Sequence, residues 1–361
     1  MFYLMPVVIP IVVFAAITQR HLKGESLAKY DKDLPDSFTP DPDSQGVQDV
    51  KNYLIENFIQ PAEGEGSQAE KLAAKRARFE RAGLTRKFDA KFVDDMVDMD
   101  GLKVPGQWTL VKGHDPDRRI LYMHGGAFTV GSPISHRAIT TNLALKTGCA
   151  VFAPDYRLMP ENQRMDAIDD ARAAYKWILE NGPKGPSPVG ALAVGGDSAG
   201  GNLTLMLSNY ARDEGLRPAD AIFAISPATD STAESPSIRG NFETDLMLKP
   251  LVAPLLKVPR WMFLWLSWRI NRISPASPLV SPIRADLSDL PPTLVHVSSA
   301  EMLYDDAARY VNKAQAAGSQ AILQSWAHMC HVWHIFDEML PESLQALDEI
   351  ASFLKAQGVA K

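Results

Sequence analysis

From Trp108 onward this 361-residue chain alternates short apolar runs with helical stretches, a pattern that few architectures accept. Strand signals fall at residues 108–111, 119–123, 149–153, 190–194, 221–225 and 293–297, and helical patterns at 134–147, 165–180, 199–214 and 304–317. Strands separated by helices of this length predict a mostly parallel sheet covered on both faces, and the near-continuous apolar strands fit a sheet with no solvated side. The fold class is therefore α/β. The alternation breaks between residues 226 and 292, where Pro and Ser are frequent and Trp261, Trp265 and Trp268 share one short segment with Phe263 and Leu264. That segment is too apolar for an exposed loop, and reads either as an extra core helix or as a lid over an apolar pocket.

The residues before Lys91 behave differently. Residues 31–46 (DKDLPDSFTPDPDSQG) have loop composition and read as a linker or wrapped arm. Residues 68–83 have high helix propensity, with Leu72, Arg76 and Phe79 near one face of a mostly solvated helix that Gly83 is expected to end. From Met1 to Ile17 there is no charged side chain. Such a run is at the lower limit for a membrane span, and Pro6 and Pro10 are expected to interrupt a helix there. Arg20, His21 and Lys23 follow the run, the reverse of a secretory signal's charge order, and by the positive-inside rule they keep the following chain cytoplasmic. Three readings stay open for this segment: membrane association, a cleaved signal, or an apolar flap folded onto the protein.

Composition removes several function classes. Acidic residues outnumber basic ones 43 to 37 and no block of Lys/Arg occurs, so nothing marks a nucleic-acid binder. Two cysteines support neither a disulfide framework nor a four-cysteine zinc module, and no disulfide is expected. Nothing in the sequence speaks to oligomeric state.

Gly196-Asp197-Ser198-Ala199-Gly200-Gly201 lies between a predicted strand and a predicted helix. A nucleophile elbow needs small residues around a serine held in a strained turn, and the N–H after the serine then faces a developing oxyanion. His124-Gly125-Gly126-Ala127 follows an earlier strand, where the second part of an oxyanion hole belongs. With Tyr156-Arg157-Leu158-Met159-Pro160-Glu161, these motifs resemble HGGG, YRLAPE and GDSAGG of the hormone-sensitive-lipase-like esterases, a branch of the α/β-hydrolase fold. The resemblance runs from about Ile120 to the C-terminus; no motif of that family precedes Lys91.

The resemblance implies a serine carboxylesterase that takes a small-molecule ester and needs neither cofactor nor metal. The chain order Ser, acid, His places the acid in residues 298–306. Aligning Leu303 and Asp305 with the family's D-P-L-x-D puts Glu301 at the acid position, with Asp305 as runner-up. Asp305 and Asp306 read more simply as first-turn helix residues. The base belongs to residues 327–334 (AHMCHVWH), where His331 fits the family pattern best, His334 second and His328 third. A zinc site there is disfavoured because no further Cys/His pair lies nearby. Cys330 is expected to be a buried thiol and Cys149 a strand residue. Gly125, Gly126, Ala127 and Ala199 form the expected oxyanion region, Gly125 making the turn. Asp197 and Glu161 are expected to bind backbone and arginine groups that hold the elbow and the turn after Pro160. By the same resemblance the chain divides into a cap arm, residues 1–90, and a catalytic unit, residues 91–361, with a cap insertion at about 239–274 that roofs an acyl pocket for short to medium chains. Activity should fall below about pH 6.5 as the histidine protonates. The competing readings are an amidase or acyltransferase with the same triad and a non-catalytic ligand-binding relative.

Overall fold

The structure, a computed structural model, describes residues 5–32, 34–59 and 66–361, residues 5–12 by their backbone only. One sheet dominates it. Its strands are β1 (Lys91–Met99), β2 (Leu102–Leu110), β3 (Asp115–Met123), β4 (Cys149–Pro154), β5 (Ala191–Asp197), β6 (Ala221–Ile225), β7 (Thr293–Ser298) and β8 (Ala321–Trp326). Their spatial order is β1-β2-β4-β3-β5-β6-β7-β8, antiparallel from β1 to β4 and parallel from there on. This is the expected α/β architecture.

The helices are α1 (Met5–Leu22), α2 (Gln45–Leu54), α3 (Gln68–Thr85), α4 (Arg137–Thr147), α5 (Arg164–Glu180), α6 (Ala199–Asp213), α7 (Ser237–Gly240), α8 (Lys249–Leu256), α9 (Arg260–Asn271), α10 (Tyr304–Ala316) and α11 (Pro341–Ala356). On one face of the sheet, Ile139 and Leu143 of α4 and Leu347 and Ile350 of α11 pack with Ile120 and Tyr122. On the other, Ala167 of α5, Leu203 of α6 and Tyr310 of α10 pack with Leu121 and Met123. Successive residues of β3 therefore serve opposite apolar layers, which is why the strand reads as one unbroken apolar run.

The N-terminal region is a wrapped arm rather than a free linker. Ser37 and Phe38 donate backbone N–H groups to Ser325 O, Phe38 O accepts from Ala327 N, and the Phe38 ring stacks on Trp326 at 4.0 Å. The arm thus adds a short bridge to the β8 edge, which would otherwise expose unpaired backbone. Arg309 grips Asp31 with both Nε and an Nη, and Val50 and Leu54 of α2 pack with Trp333 and Leu340.

Three sequence expectations need correction. Pro6 and Pro10 do not interrupt α1, which runs from Met5 to Leu22. Pro6 sits in the first turn, where no intrahelical N–H bond is lost, and Pro10 forfeits only one. Residues 1–4 of the charge-free run lie outside the described residues. Among the described residues no helix is long and apolar enough to cross a membrane. Gly83 does not end α3, which continues to Thr85. A Cβ on Gly83 would lie 1.9 Å from Ile134 O, so this glycine allows a close crossing instead. The tryptophan segment forms α9, in which Leu264 alone is buried. Trp261 and Trp265 meet Phe14 of α1 edge-on, with ring centroids 6.0 and 6.2 Å apart, and Trp268 is 40% exposed. This aromatic face is shared between α1 and solvent, so α9 is a surface helix paired with the N-terminal one and not a core helix.

Candidate active site

Ser198 sits alone between β5 and α6, at φ 52° and ψ −114°. Few residues with a Cβ adopt positive φ, and the strain is held by packing against the end of β3. A Cβ on Gly196 would lie 2.4 Å from Met123 O, and one on Gly200 1.9 Å from the same oxygen. The two glycines of G-x-S-x-G are therefore required by the passing strand, and the serine hydroxyl is left at the strand's C-terminal end.

Beside it runs the loop after β3. Gly126 has φ 119°, and Ala127 and Phe128 both have left-handed backbone, at φ 52° and 60°. Gly125 turns its N–H inward and donates to Asp197 Oδ1 at 3.0 Å. Gly125 thus anchors the loop at its turn, with its N–H engaged by Asp197. The N–H groups of Gly126, Ala127 and Ala199 have no acceptor among the described residues.

Asp197 is buried and serves this loop rather than an arginine. It accepts from Tyr122 OH at 2.7 Å and lies 3.4 Å from His136 Nε2. Burial opposes charge on both partners, yet their attraction outweighs it: Asp197 is held below the usual carboxylate range and His136 above the usual imidazole value. His124 stacks on Tyr156 at 4.1 Å, and burial pushes its imidazole down to about 3. It is a neutral packing residue. Glu161 behaves as expected: Arg76 of α3 binds it with two nitrogens at 2.9 and 2.8 Å, and donates further to Thr129 O and Met159 O. Arg164 lies 3.4 Å from the Phe128 ring centroid and donates to Asn202 Oδ1 at 2.6 Å, clamping the loop to α6. His136, Tyr122 and Arg164 carry no sequence motif that could have announced them.

His331 Nε2 is 2.9 Å from Ser198 Oγ, and His331 Nδ1 is 2.5 Å from Glu301 Oε2. A carboxylate only accepts, so Nδ1 carries the proton and Nε2 accepts from the serine hydroxyl. Glu301 is fully buried, and its Oε1 accepts from Ser298 N at 2.6 Å and Ser226 Oγ at 2.9 Å. Burial lowers the affinity of His331 for a proton, but the bond to Glu301 and the charges of Glu301 and Asp245 outweigh it, leaving the imidazole pKa raised.

The other candidates lie elsewhere. Asp305 Oδ2 accepts from Ser237 N at 2.6 Å, and Asp306 accepts from the N–H groups of Thr229 and Asp230. Both are in the first turn of α10, as expected, and both also tie down the start of the insertion. Burial beside Asp230 raises Asp306 to about 7. His334 pairs with His296 at 3.1 Å behind β7, where burial lowers its pKa, and His328 is exposed. Cys330 is only partly buried, against expectation, and Cys149 is buried in β4; both are free thiols. Asp245, not foreseen, accepts from Leu248 N and Met302 N, both at 2.9 Å. Its carboxylate, Glu301 and His331 offer donor atoms within 4.8 Å of one another.

A family model described as the alpha/beta hydrolase fold matches residues 120–335. The chain belongs to the α/β-hydrolase family. Within that family it is similar to an acetyl-hydrolase of Streptomyces hygroscopicus, at 35% identity over 66% of this chain and 75% of the relative. It is also similar to an esterase of Acinetobacter venetianus, at 36% identity over 65% of this chain and 73% of the relative. Among solved α/β-hydrolases, an esterase from the bacterial hormone-sensitive lipase family superposes with a TM-score of 0.73 at 32% identity, covering 87% of this chain and 98% of the other.

Proposed function

We propose that the protein is a serine carboxylesterase acting on short- to medium-chain acyl esters. The observation that carries this is the hydrogen-bonded line Glu301–His331–Ser198, and kinship with an acetyl-hydrolase and an esterase supports it. Ser198 Oγ attacks the ester carbonyl carbon while its proton passes to His331 Nε2. The carbonyl oxygen takes the negative charge, held by the N–H groups of Gly126, Ala127 and Ala199. His331 then protonates the departing alkoxide, leaving an acyl-serine. A water attacks this ester, its proton going to His331, and the carboxylic acid leaves as Ser198 regains the proton. Glu301 fixes the imidazole tautomer and stabilises the imidazolium. Residues 1–90 and 239–274 together form the cap.

A fluorophosphonate probe tests the reading. It should label Ser198 in the wild-type chain and give no adduct in Ser198→Ala; an unlabelled wild type would leave a ligand-binding relative. Turnover of acyl esters well above that of matched amides separates an esterase from an amidase, and a chain-length series reads the acyl preference.

Ala127 keeps its N–H but adds a methyl to the oxyanion loop. Ala127→Gly is expected to raise kcat/KM severalfold on esters of branched alcohols relative to ethyl esters. Unchanged or poorer kinetics on the branched series would refute that steric role.

The pH profile follows from the charges around His331. The base works only when neutral, and its pKa is raised, so the acid limb of kcat/KM should lie above the unperturbed value near 6.5 rather than at it. Activity is present above the limb and lost as pH falls through it. Asp245→Asn removes one of the charges favouring imidazolium and should move the limb to lower pH. A limb that stays in place, or moves up, would exclude Asp245 from that role.

A further inference from the structure

The cap carries a charge asymmetry that the chain as a whole does not. The protein has a formal net charge of −6, yet no Asp or Glu occurs before Glu25 or between Leu246 and Ala285. Over those same stretches basic residues recur, and Arg20, Lys257, Arg269 and Arg272 are exposed without an acidic partner among the described residues. The two stretches are neighbours in space, because α1 packs on α9 through Phe14, Trp261 and Trp265.

The same helices expose large apolar side chains. Val13 and Ile17, one turn apart on α1, are 50% and 53% exposed, and Arg20 follows at the next turn of that stripe. On α9 Ile270 is 59% exposed, next in sequence to Arg269 of the last turn and two residues before the C-cap Arg272. Leu251 and Leu255 repeat the one-turn spacing on α8. Isolated exposed apolar residues are ordinary, but here they recur on α1 and α9, which pack on each other, and on α8, and the only unpaired charges of these helices, among the described residues, are positive. An apolar stripe bordered by Arg and Lys is the pattern of a helix lying in the headgroup region of a membrane: the apolar groups enter the acyl boundary while long basic side chains reach phosphate.

We infer that the cap face formed by α1 and α9 docks on an anionic lipid surface, lying in the interface without crossing it. Anionic lipid is favoured over an acidic protein because the charge borders exposed apolar side chains along the helix surfaces, and over neutral lipid because no acidic residue of these stretches offsets the basic ones. The inference stands apart from the esterase reading, since none of these residues belongs to the site around Ser198.

Co-sedimentation of the full chain tests it, with vesicles of phosphatidylcholine alone and of phosphatidylcholine mixed with phosphatidylglycerol. Binding should be confined to the mixed vesicles and reversed by high salt. The double substitution Arg269→Gln, Arg272→Gln should lower the partition coefficient about 25-fold, each arginine beside the headgroups supplying roughly fivefold. Ile17→Ser with Ile270→Ser should weaken binding while hydrolysis of a water-soluble acetate ester stays within about twofold, which keeps a folding defect apart from a docking defect. Equal binding to both vesicle types, or none to either, would overturn the inference. So would a lipid-free dimer that the Ile17→Ser, Ile270→Ser variant breaks, because the face would then belong to a second copy of the chain.

Discussion

Replacing Ser198 with Ala is expected to lower kcat on a short acyl ester by on the order of 10⁵ while leaving the fold intact. The serine side chain has one bond to lose, that to His331 Nε2 at 2.9 Å, and the elbow's positive φ is held by Gly196 and Gly200 against Met123 O rather than by the hydroxyl. His331→Ala should cost about as much, and the double variant little more, because the residues act as one unit. Steady-state rates with circular dichroism on the three variants check this. Residual turnover within about a hundredfold of wild type in Ser198→Ala would assign the nucleophile elsewhere.

Glu301→Gln should reduce kcat by on the order of 10³–10⁴, whereas Asp305→Asn should stay within about tenfold. The contrast rests on partners. Glu301 turns one oxygen to His331 Nδ1 and the other to Ser298 N and Ser226 Oγ. A glutamine has a single acceptor oxygen, and whichever way it turns, either its NH₂ group opposes Nδ1–H or those donors lose their acceptor. The neutral imidazole then shifts its proton to Nε2, the atom that must receive the serine's. Asp305 meets a single backbone N–H at Ser237, which Asn Oδ1 can still accept. A large loss in Asp305→Asn with a small one in Glu301→Gln would reverse the assignment of the acid.

Legibility in the sequence follows the range of the cause. The central strands could be read because burial on both faces leaves a continuous apolar run, and their helices because the runs are spaced by them. The edge strands hid for the same reason. β1 carries three aspartates, and β8 leaves Ile322 half exposed, so neither presents an apolar run. α11 falls outside the sequence expectations although Leu347, Ile350 and Leu354 share one face; its signal was present. At the site, the elbow glycines and the Gly-rich loop were legible because each motif is contiguous in the chain, although the atom that demands Gly196 and Gly200 is Met123 O on another strand. Asp245, His136 and Arg164 were not, because each acts on a partner distant in sequence through an ordinary side chain in an ordinary helix or loop. The tryptophan segment misled in part because composition reports that a surface is covered, not by what; the cover includes α1.

Arg76 links the arm to the chemistry in a way that bears on how such a protein can be recombined. It reaches from α3 to Glu161, Met159 O and Thr129 O, and Thr129 itself closes the turn on Gly126 O. Residues 1–90 therefore cannot be exchanged without also touching the loop after β3 and the turn after Pro160. A chimera carrying another member's arm inherits whatever that arm places opposite Glu161, and if it offers no cation there, the loop after β3 loses a brace far from the junction. Compatible crossover points are those that keep α3 and residues 124–161 from the same parent.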